Sequence, residues 1–380
     1  MDRIVSEGHY LDGVALIDNH CHSITFRELS RDEFEDNLTE APTRASAITS
    51  TFDSAAGLTL LKECGRLLGL EAPVDAQSYL RARGAMAPET LAASFFAAAG
   101  VEVLMVDEGY NSAYLATTDR LEEVSGAKAL RVLRLETLAE QVLAATMSAT
   151  SFYDDFTAAV TQAASGAIGL KSIAAYRFGL DLDADIATPS DVAVAAEAVV
   201  ADLKSGGAGR ISSRTLCSFI AHAAVRATKL PIQFHVGYGD PDLQLDRCNP
   251  ALLTPFIRTA DTLGIPVILL HCYPYQREAA YLASSFANVY FDLGLAMNFV
   301  GHNAPRIFSE ALELAPFSKV LYSSDAYGLA ELHFLGSLAF RRSVEYYLAD
   351  LRDRELADGA YLSRLALMFA RDNATRAYRL

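Results

Sequence analysis

Residues 15–23 read Ala15-Leu16-Ile17-Asp18-Asn19-His20-Cys21-His22-Ser23. An apolar opening passes into a polar tip that carries two histidines two positions apart. Side chains two apart in an extended segment point to the same side, so both imidazoles can face one point. Short apolar runs of this kind recur along the chain: VALID at 14–18, VEVLMV at 101–106, ALRVLRL at 129–135 and AIGLKSI at 167–173. PIQFHV at 231–236, PVILLH at 266–271, NVYFDL at 288–293 and KVLYSSD at 319–325 complete the set. Stretches with helical spacing separate them, as a parallel sheet with crossover helices requires. The expected fold is therefore α/β, a (β/α)8 barrel of the TIM type, since eight is the number that closes such a barrel.

Helix signals fit this alternation. Thr188-Pro189 precedes an alanine-rich run with Asp191 in its first turn, and Asn249-Pro250 opens a run that stops at Gly264. The interval from 25 to about 97 is too long for a plain crossover and carries apolar positions at helical intervals, so a helical insertion is expected there. After the eighth run the chain reads as helical around Ser337–Leu356 and Tyr361–Tyr378. One barrel domain is expected over 1–380.

The chain has 380 residues, 51% hydrophobic and 21% charged, enough to close a large core without disulfides. Its formal net charge of -15 repels polyphosphate backbones, so nucleic acid is excluded as a partner. No apolar run approaches the roughly 18 residues of a membrane span. The opening MDRIVSEGHY is charged where a secretory leader is apolar, and a cytoplasmic protein is expected. Five scattered cysteines without a C-x-x-C pair suit free thiols. The expected partner is a small-molecule substrate, with homo-oligomerisation left open.

Polar residues collect at the C-terminal ends of the strand candidates, where barrel enzymes build their sites. H-x-H alone is a weak motif. Its support is that His235 ends the fifth run, His271 the sixth and Asp325 the eighth, in a chain with only eight histidines. Such ligand types at strand tips point to a divalent cation. Zinc is expected, with manganese or iron as alternatives. Lys171, in the fourth run, points inward if it shares the parity of its neighbours. It is either a neutralised amine able to form a metal-bridging carbamate, or an ordinary lysine paired with Asp107 or Glu108 or with a substrate carboxylate. Arg177 could clamp a substrate carboxylate with its planar fork, while Tyr238 and Tyr273 could wall a substrate pocket. Gln233 shares parity with His235 and suits a hydrogen-bonding role inside the barrel. His9, His222, His302 and His333 are expected to be structural, with His302 near the seventh loop. No third glycine of a dinucleotide fingerprint follows Gly237 and Gly239, and no G-x-S-x-G elbow is present.

The pattern resembles the amidohydrolase superfamily, in its amidohydrolase 2 branch: H-x-H after strand one, a lysine on strand four, histidines on strands five and six, an aspartate after strand eight. ALIDNHCHS, GLKSIAAYRFGL, PIQFHVGYGDPD, LLHCYPY and LYSSDA look like a narrower group. That group includes the amidohydrolase-type domain joined to a glutamine-synthetase-like domain in fungal sporulation regulators and plant nodulin-like proteins. No such second domain is expected here. The resemblance implies that His20, His22 and Asp325 bind a first metal, while His235 and His271 bind a second, with Lys171 as the bridge, or divide between one metal and catalysis. It implies hydrolysis of an amide or other C–N bond by metal-activated water, with Asp325 and His271 as catalytic groups. Non-oxidative decarboxylation on the same site, or a non-catalytic metal-binding regulatory domain, are the rivals.

Overall fold

The computed structural model describes residues 9–41, 50–110 and 113–380. The charged opening over residues 1–8, on which the leader argument rests, lies outside them. Among the described residues no helix is long and apolar enough to cross a membrane.

Seven parallel strands pair in chain order: β1 Leu16–Cys21, β2 Val101–Asp107, β3 Lys128–Arg134, β4 Ala167–Ser172, β5 Ile232–His235, β6 Val267–Leu270 and β7 Val289–Phe291. Both faces of this sheet are covered, which is why the strands read as nearly continuous apolar runs. Residues of one parity, among them Leu170, Ile232, Phe234, Val267, Leu269, Val289 and Phe291, pack outward against the surrounding helices. The alternate positions Ile17, Met105, Val132, Ile268 and Leu270 form a separate interior cluster.

The eighth run differs from expectation. No ladder strand forms over 319–325; a 3-10 turn covers Phe317–Lys319, and the segment after it is held by isolated bonds at both sides. Leu321 N donates to Phe291 O on β7, while Asn19 N on β1 donates to Tyr322 O and Asp325 N to His20 O. The segment thus stands between β7 and β1. Its bonds to β1 run on past the left-handed Asp325, φ 47°, since His22 N donates to Ala326 O.

Helices flank each connection. Thr188 caps Pro189–Lys204 by accepting from Asp191 N at 3.3 Å. Asn249 accepts from Ala251 N at 2.9 Å, above a 3-10 turn Pro250–Leu253 that runs on into the helix Thr254–Thr262. Between β1 and β2 lie the helices Arg31–Asp36, Ala55–Leu67, Ala76–Gly84 and Pro88–Ala99, with residues 42–49 outside the described set. Together with the long helix Ala330–Asp353 they enclose a second core built on Phe34, Tyr79, Phe95 and Phe334. The C-terminal run is a helix Gly359–Leu367, a π-turn Met368–Asp372 and a last helix Asn373–Tyr378. All five cysteines are buried and unpaired.

Phe219 lies at the centre of an aromatic knot, its ring 4.7 Å from Tyr153, 5.7 Å from Phe156 and 5.9 Å from Phe152. Phe219→Ala is expected to cost about 3–5 kcal/mol in denaturant unfolding, through lost burial and the cavity left behind.

Candidate metal centre

The tips of β1, β4, β5 and β6 and the segment after β7 converge on one end of the sheet. His22, Lys171, His235, His271 and Asp325 line a single cavity of about 690 Å³ there, and His20 stands beneath it against Asp325. The ligand atoms of His20, His22 and Asp325 all lie within 4.8 Å of one another. His20 Nε2 is 3.2 Å and His22 Nε2 3.5 Å from Asp325 Oδ1, and His271 Nε2 is 3.5 Å from Asp325 Oδ2. The rings of His235 and His271 are 4.7 Å apart, and those of His20 and His271 5.7 Å.

Hydrogen bonding decides which nitrogen of each β1 histidine faces the centre. His20 Nδ1 is 2.8 Å from Gln233 Oε1. An amide oxygen only accepts, so Nδ1 carries the proton and Nε2 presents a lone pair. His22 Nδ1 likewise donates to the Asp107 carbonyl at 3.1 Å, so in the neutral ring it is Nε2 that presents the lone pair. Two nitrogen lone pairs therefore point at a carboxylate oxygen with no proton between them. Asp325 Oδ1, His235 Nε2 and both ring nitrogens of His271 are buried without a hydrogen-bond partner. Buried polar atoms left this way are costly, and a divalent cation bound by neutral imidazoles and a carboxylate would satisfy them. These residues fit such an ion.

Electrostatics point the same way. Burial lowers the pKa of His20 to about 4, helped by the Lys171 ammonium, and pushes His235 and His271 well below the usual imidazole range. All three are neutral at pH 7. Burial works against ionisation of Asp325, yet its carboxyl lies well below the ordinary carboxylate range. Lys171 is buried with Nζ 3.3 Å from His20 Nε2, and desolvation lowers its pKa to about 8.

The surrounding shell is built from groups that sequence reasoning left unassigned. Arg134 on β3 clamps the buried Asp107 carboxylate through Nε at 2.9 Å and Nη2 at 2.6 Å, which fixes the carbonyl that orients His22. Of the alternatives for Lys171, the pair with Asp107 is not formed, and Arg134 holds that carboxylate. Asp292, after β7, accepts from His271 N at 2.7 Å and from Gly294 N at 3.0 Å, securing the left-handed turn at His271, φ 70°. An acidic residue at the end of an apolar run is the signal that could have found it. The ring of Tyr176 lies 4.4 Å from His235. Glu40 and Asp240 line the outer cavity, and burial raises the Glu40 pKa to about 8.

The three expected substrate contacts stand differently toward this cavity. Arg177 reaches the cavity wall, but its Nη1 pairs with Glu140 Oε1 at 3.1 Å and Nη2 with Oε2 at 3.4 Å, so the fork is already engaged. Tyr238 and Tyr273 do not line the cavity. Tyr238 packs on Phe299, with ring centres 5.7 Å apart, and its N–H donates to Tyr273 O at 2.6 Å; the Tyr273 ring packs on the outer core. Gly237 permits this closeness: at φ 75°, a Cβ there would lie 2.1 Å from Tyr273 O. His222 and His333 are fully buried, and His222 Nε2 bonds Asp183 O at 2.9 Å; His9 and His302 are exposed and apart from the centre.

A protein from Lactobacillus casei ATCC 334, assigned as a metal-dependent hydrolase, superposes with TM-score 0.85 and 30% identity over 97% of this chain and 96% of its own. The chain belongs to the amidohydrolase family. The amidohydrolase family model itself matches residues 212–380. Protein fluG of Emericella nidulans is 27% identical over the whole chain, which spans about half (47%) of that protein's length. The uronate isomerase of Bacillus halodurans shares the fold at TM-score 0.65 and 13% identity, covering 97% of this chain and 94% of its own.

The Arg134–Asp107 pair is nearly dry, with side-chain exposures of 9% and 0%. Arg134→Met leaves a buried carboxylate uncompensated and is expected to destabilise the protein by about 3–5 kcal/mol in urea unfolding. A change within 1 kcal/mol would show that Asp107 finds another partner.

Proposed function

We propose that this amidohydrolase hydrolyses an amide or other C–N bond of a small molecule with a divalent cation, zinc foremost, held by His20, His22 and Asp325. The observation that carries the reading is the convergence of unprotonated His20 Nε2 and His22 Nε2 on Asp325 Oδ1 at the head of an open cavity. His235, His271 and Lys171 stand where they can complete a second ion site, Lys171 as a carbamate, or serve a single ion and the substrate.

A bound cation supplies Lewis acidity, making water a usable nucleophile at neutral pH and polarising a carbonyl. The chain's residues do the rest. Asp325 takes the proton of the attacking water on a carboxylate oxygen and passes it to the departing nitrogen. His271, 3.5 Å from that carboxylate, offers a ring N–H to the carbonyl oxygen as negative charge develops there. Tyr176 and the loop after β5 shield the His235 side from water. The Lactobacillus casei relative, assigned as a metal-dependent hydrolase, supports hydrolysis over decarboxylation.

Asp325→Asn is expected to fold normally yet lower turnover at least 100-fold in an amide-substrate screen. A variant with normal rates would remove the carboxylate from this role. Elemental analysis of protein purified without chelator should find one or two divalent ions per chain, and intact-mass measurement should show added carbon dioxide on Lys171 only in the two-ion case. Stripping the ion should abolish activity, and zinc should restore it.

A further inference from the structure

The C-terminal helix Asn373–Tyr378 closes the end of the barrel opposite the metal centre. Ala374, Ala377 and Tyr378 join Ile17, Met105, Val132, Ile268 and Leu270 in the interior cluster. The Tyr378 ring enters beneath β4 at Gly169, where a Cβ would lie 3.2 Å from its Cε1. Asn373 Nδ2 donates to Phe317 O at 2.8 Å and to Val320 O at 2.9 Å, seating the segment that leads to Asp325.

From Tyr378 a chain of hydrogen bonds runs to His20, and its direction is determined at every link. Asn19 Nδ2 donates to Asp292 Oδ2 and to Tyr322 O, both at 2.9 Å; these atoms only accept, so Asn19 Oδ1 is its acceptor end. Tyr378 OH donates to that Oδ1 at 3.1 Å. The tyrosine oxygen accepts from Gln233 Nε2 at 2.7 Å, and the same nitrogen donates to Asn19 O at 2.6 Å. Gln233 Oε1 is thereby turned to His20 Nδ1, at 2.8 Å. His20 must carry its proton on Nδ1 and keep Nε2 free.

We infer that Tyr378, sharing the Gln233 amide nitrogen with the Asn19 carbonyl, is a positioning residue that helps hold Gln233 and with it the tautomer of His20, so that docking of the C-terminal helix and cation binding at the opposite end of the barrel are coupled. The inference rests on His20 being a metal ligand. The coupling is reciprocal: whatever favours the docked helix favours the ion, and the ion favours the docked helix. Hydrogen-bond partners of ligating histidines have effects of this kind, typically 10–100-fold in metal affinity.

The test uses chelator-stripped full-length protein titrated with zinc against a competing chelator. Tyr378→Phe is expected to bind zinc 10–100-fold more weakly, and long-range 1H–15N spectra of histidine-labelled protein should show His20 gaining the Nε2–H tautomer. A role confined to packing would leave that tautomer unchanged. Zinc should slow amide exchange over residues 373–378 in the unmodified chain, and less so in Tyr378→Phe. Tyr322→Phe removes a buried hydroxyl that has no hydrogen-bond partner, and should leave zinc affinity alone. Should Tyr378→Phe fail to fold, Gly169→Ala, which displaces the ring but keeps its hydroxyl, should weaken zinc in the same direction. Unmodified zinc affinity and tautomer in the folded variant would overturn the inference. An unmodified chain that binds neither zinc nor any other divalent ion at His20 would instead overturn the metal reading itself.

Discussion

The structure turns on a set of lone pairs directed at one another. His20 Nε2 and His22 Nε2, both unprotonated, face the same oxygen of an ionised Asp325. Two nitrogens and a carboxylate brought this close in a dry interior repel unless a positive charge lies among them, and desolvation raises the cost of leaving them so. Nearly every polar feature around the centre reduces the freedom of these groups to turn away. Gln233 and the Asp107 carbonyl hold the protons of His20 and His22 on the far side of each ring. Asp292 holds the backbone of His271, and Arg134 holds Asp107. The histidines and the carboxylate are held in place by groups standing behind them.

That arrangement depends on a scaffold with two apolar layers. Outward strand residues such as Phe234 and Phe291 anchor the sheet to its helices, while Ile17, Met105, Val132 and Ile268 fill its interior below the centre. Along β5 the same alternation puts Gln233 and His235 inside and Ile232 and Phe234 outside. A slip of one residue in register would exchange these faces and take His235 out of the cavity.

The parts of this design that are local are legible in the sequence. Apolar runs of strand length ending in histidine or aspartate locate β1, β5 and β6 and the residues they carry, because parity along a strand is a property of neighbouring residues. Pairings between distant residues are not legible. Tyr378 and Asn19 are 359 positions apart, and nothing near either announces the other. Arg134 reads as one of two arginines on β3 until Asp107 is placed beside it. Arg177 reads as a carboxylate clamp for the same reason in reverse: its partner Glu140 lies in a different helix. The eighth strand is over-read because apolar content marks a buried extended segment, while a ladder also needs partners in register.

The backbone of the centre is strained where function requires it. Among the described residues, non-glycine left-handed conformations include His271 at φ 70°, Cys272 at φ 53° and Asp325 at φ 47°. Such conformations cost about 1–3 kcal/mol each and persist only where the surroundings over-determine them. Asp292 and the β1 contacts of the Asp325 segment supply that determination. The left-handed turns swing His271 and Asp325 across the mouth of the barrel instead of along it. The bonds to β1 persist through this turn, Asp325 N donating to His20 O and His22 N to Ala326 O, so the carboxylate faces the histidines while its backbone stays tied to the strand that carries them.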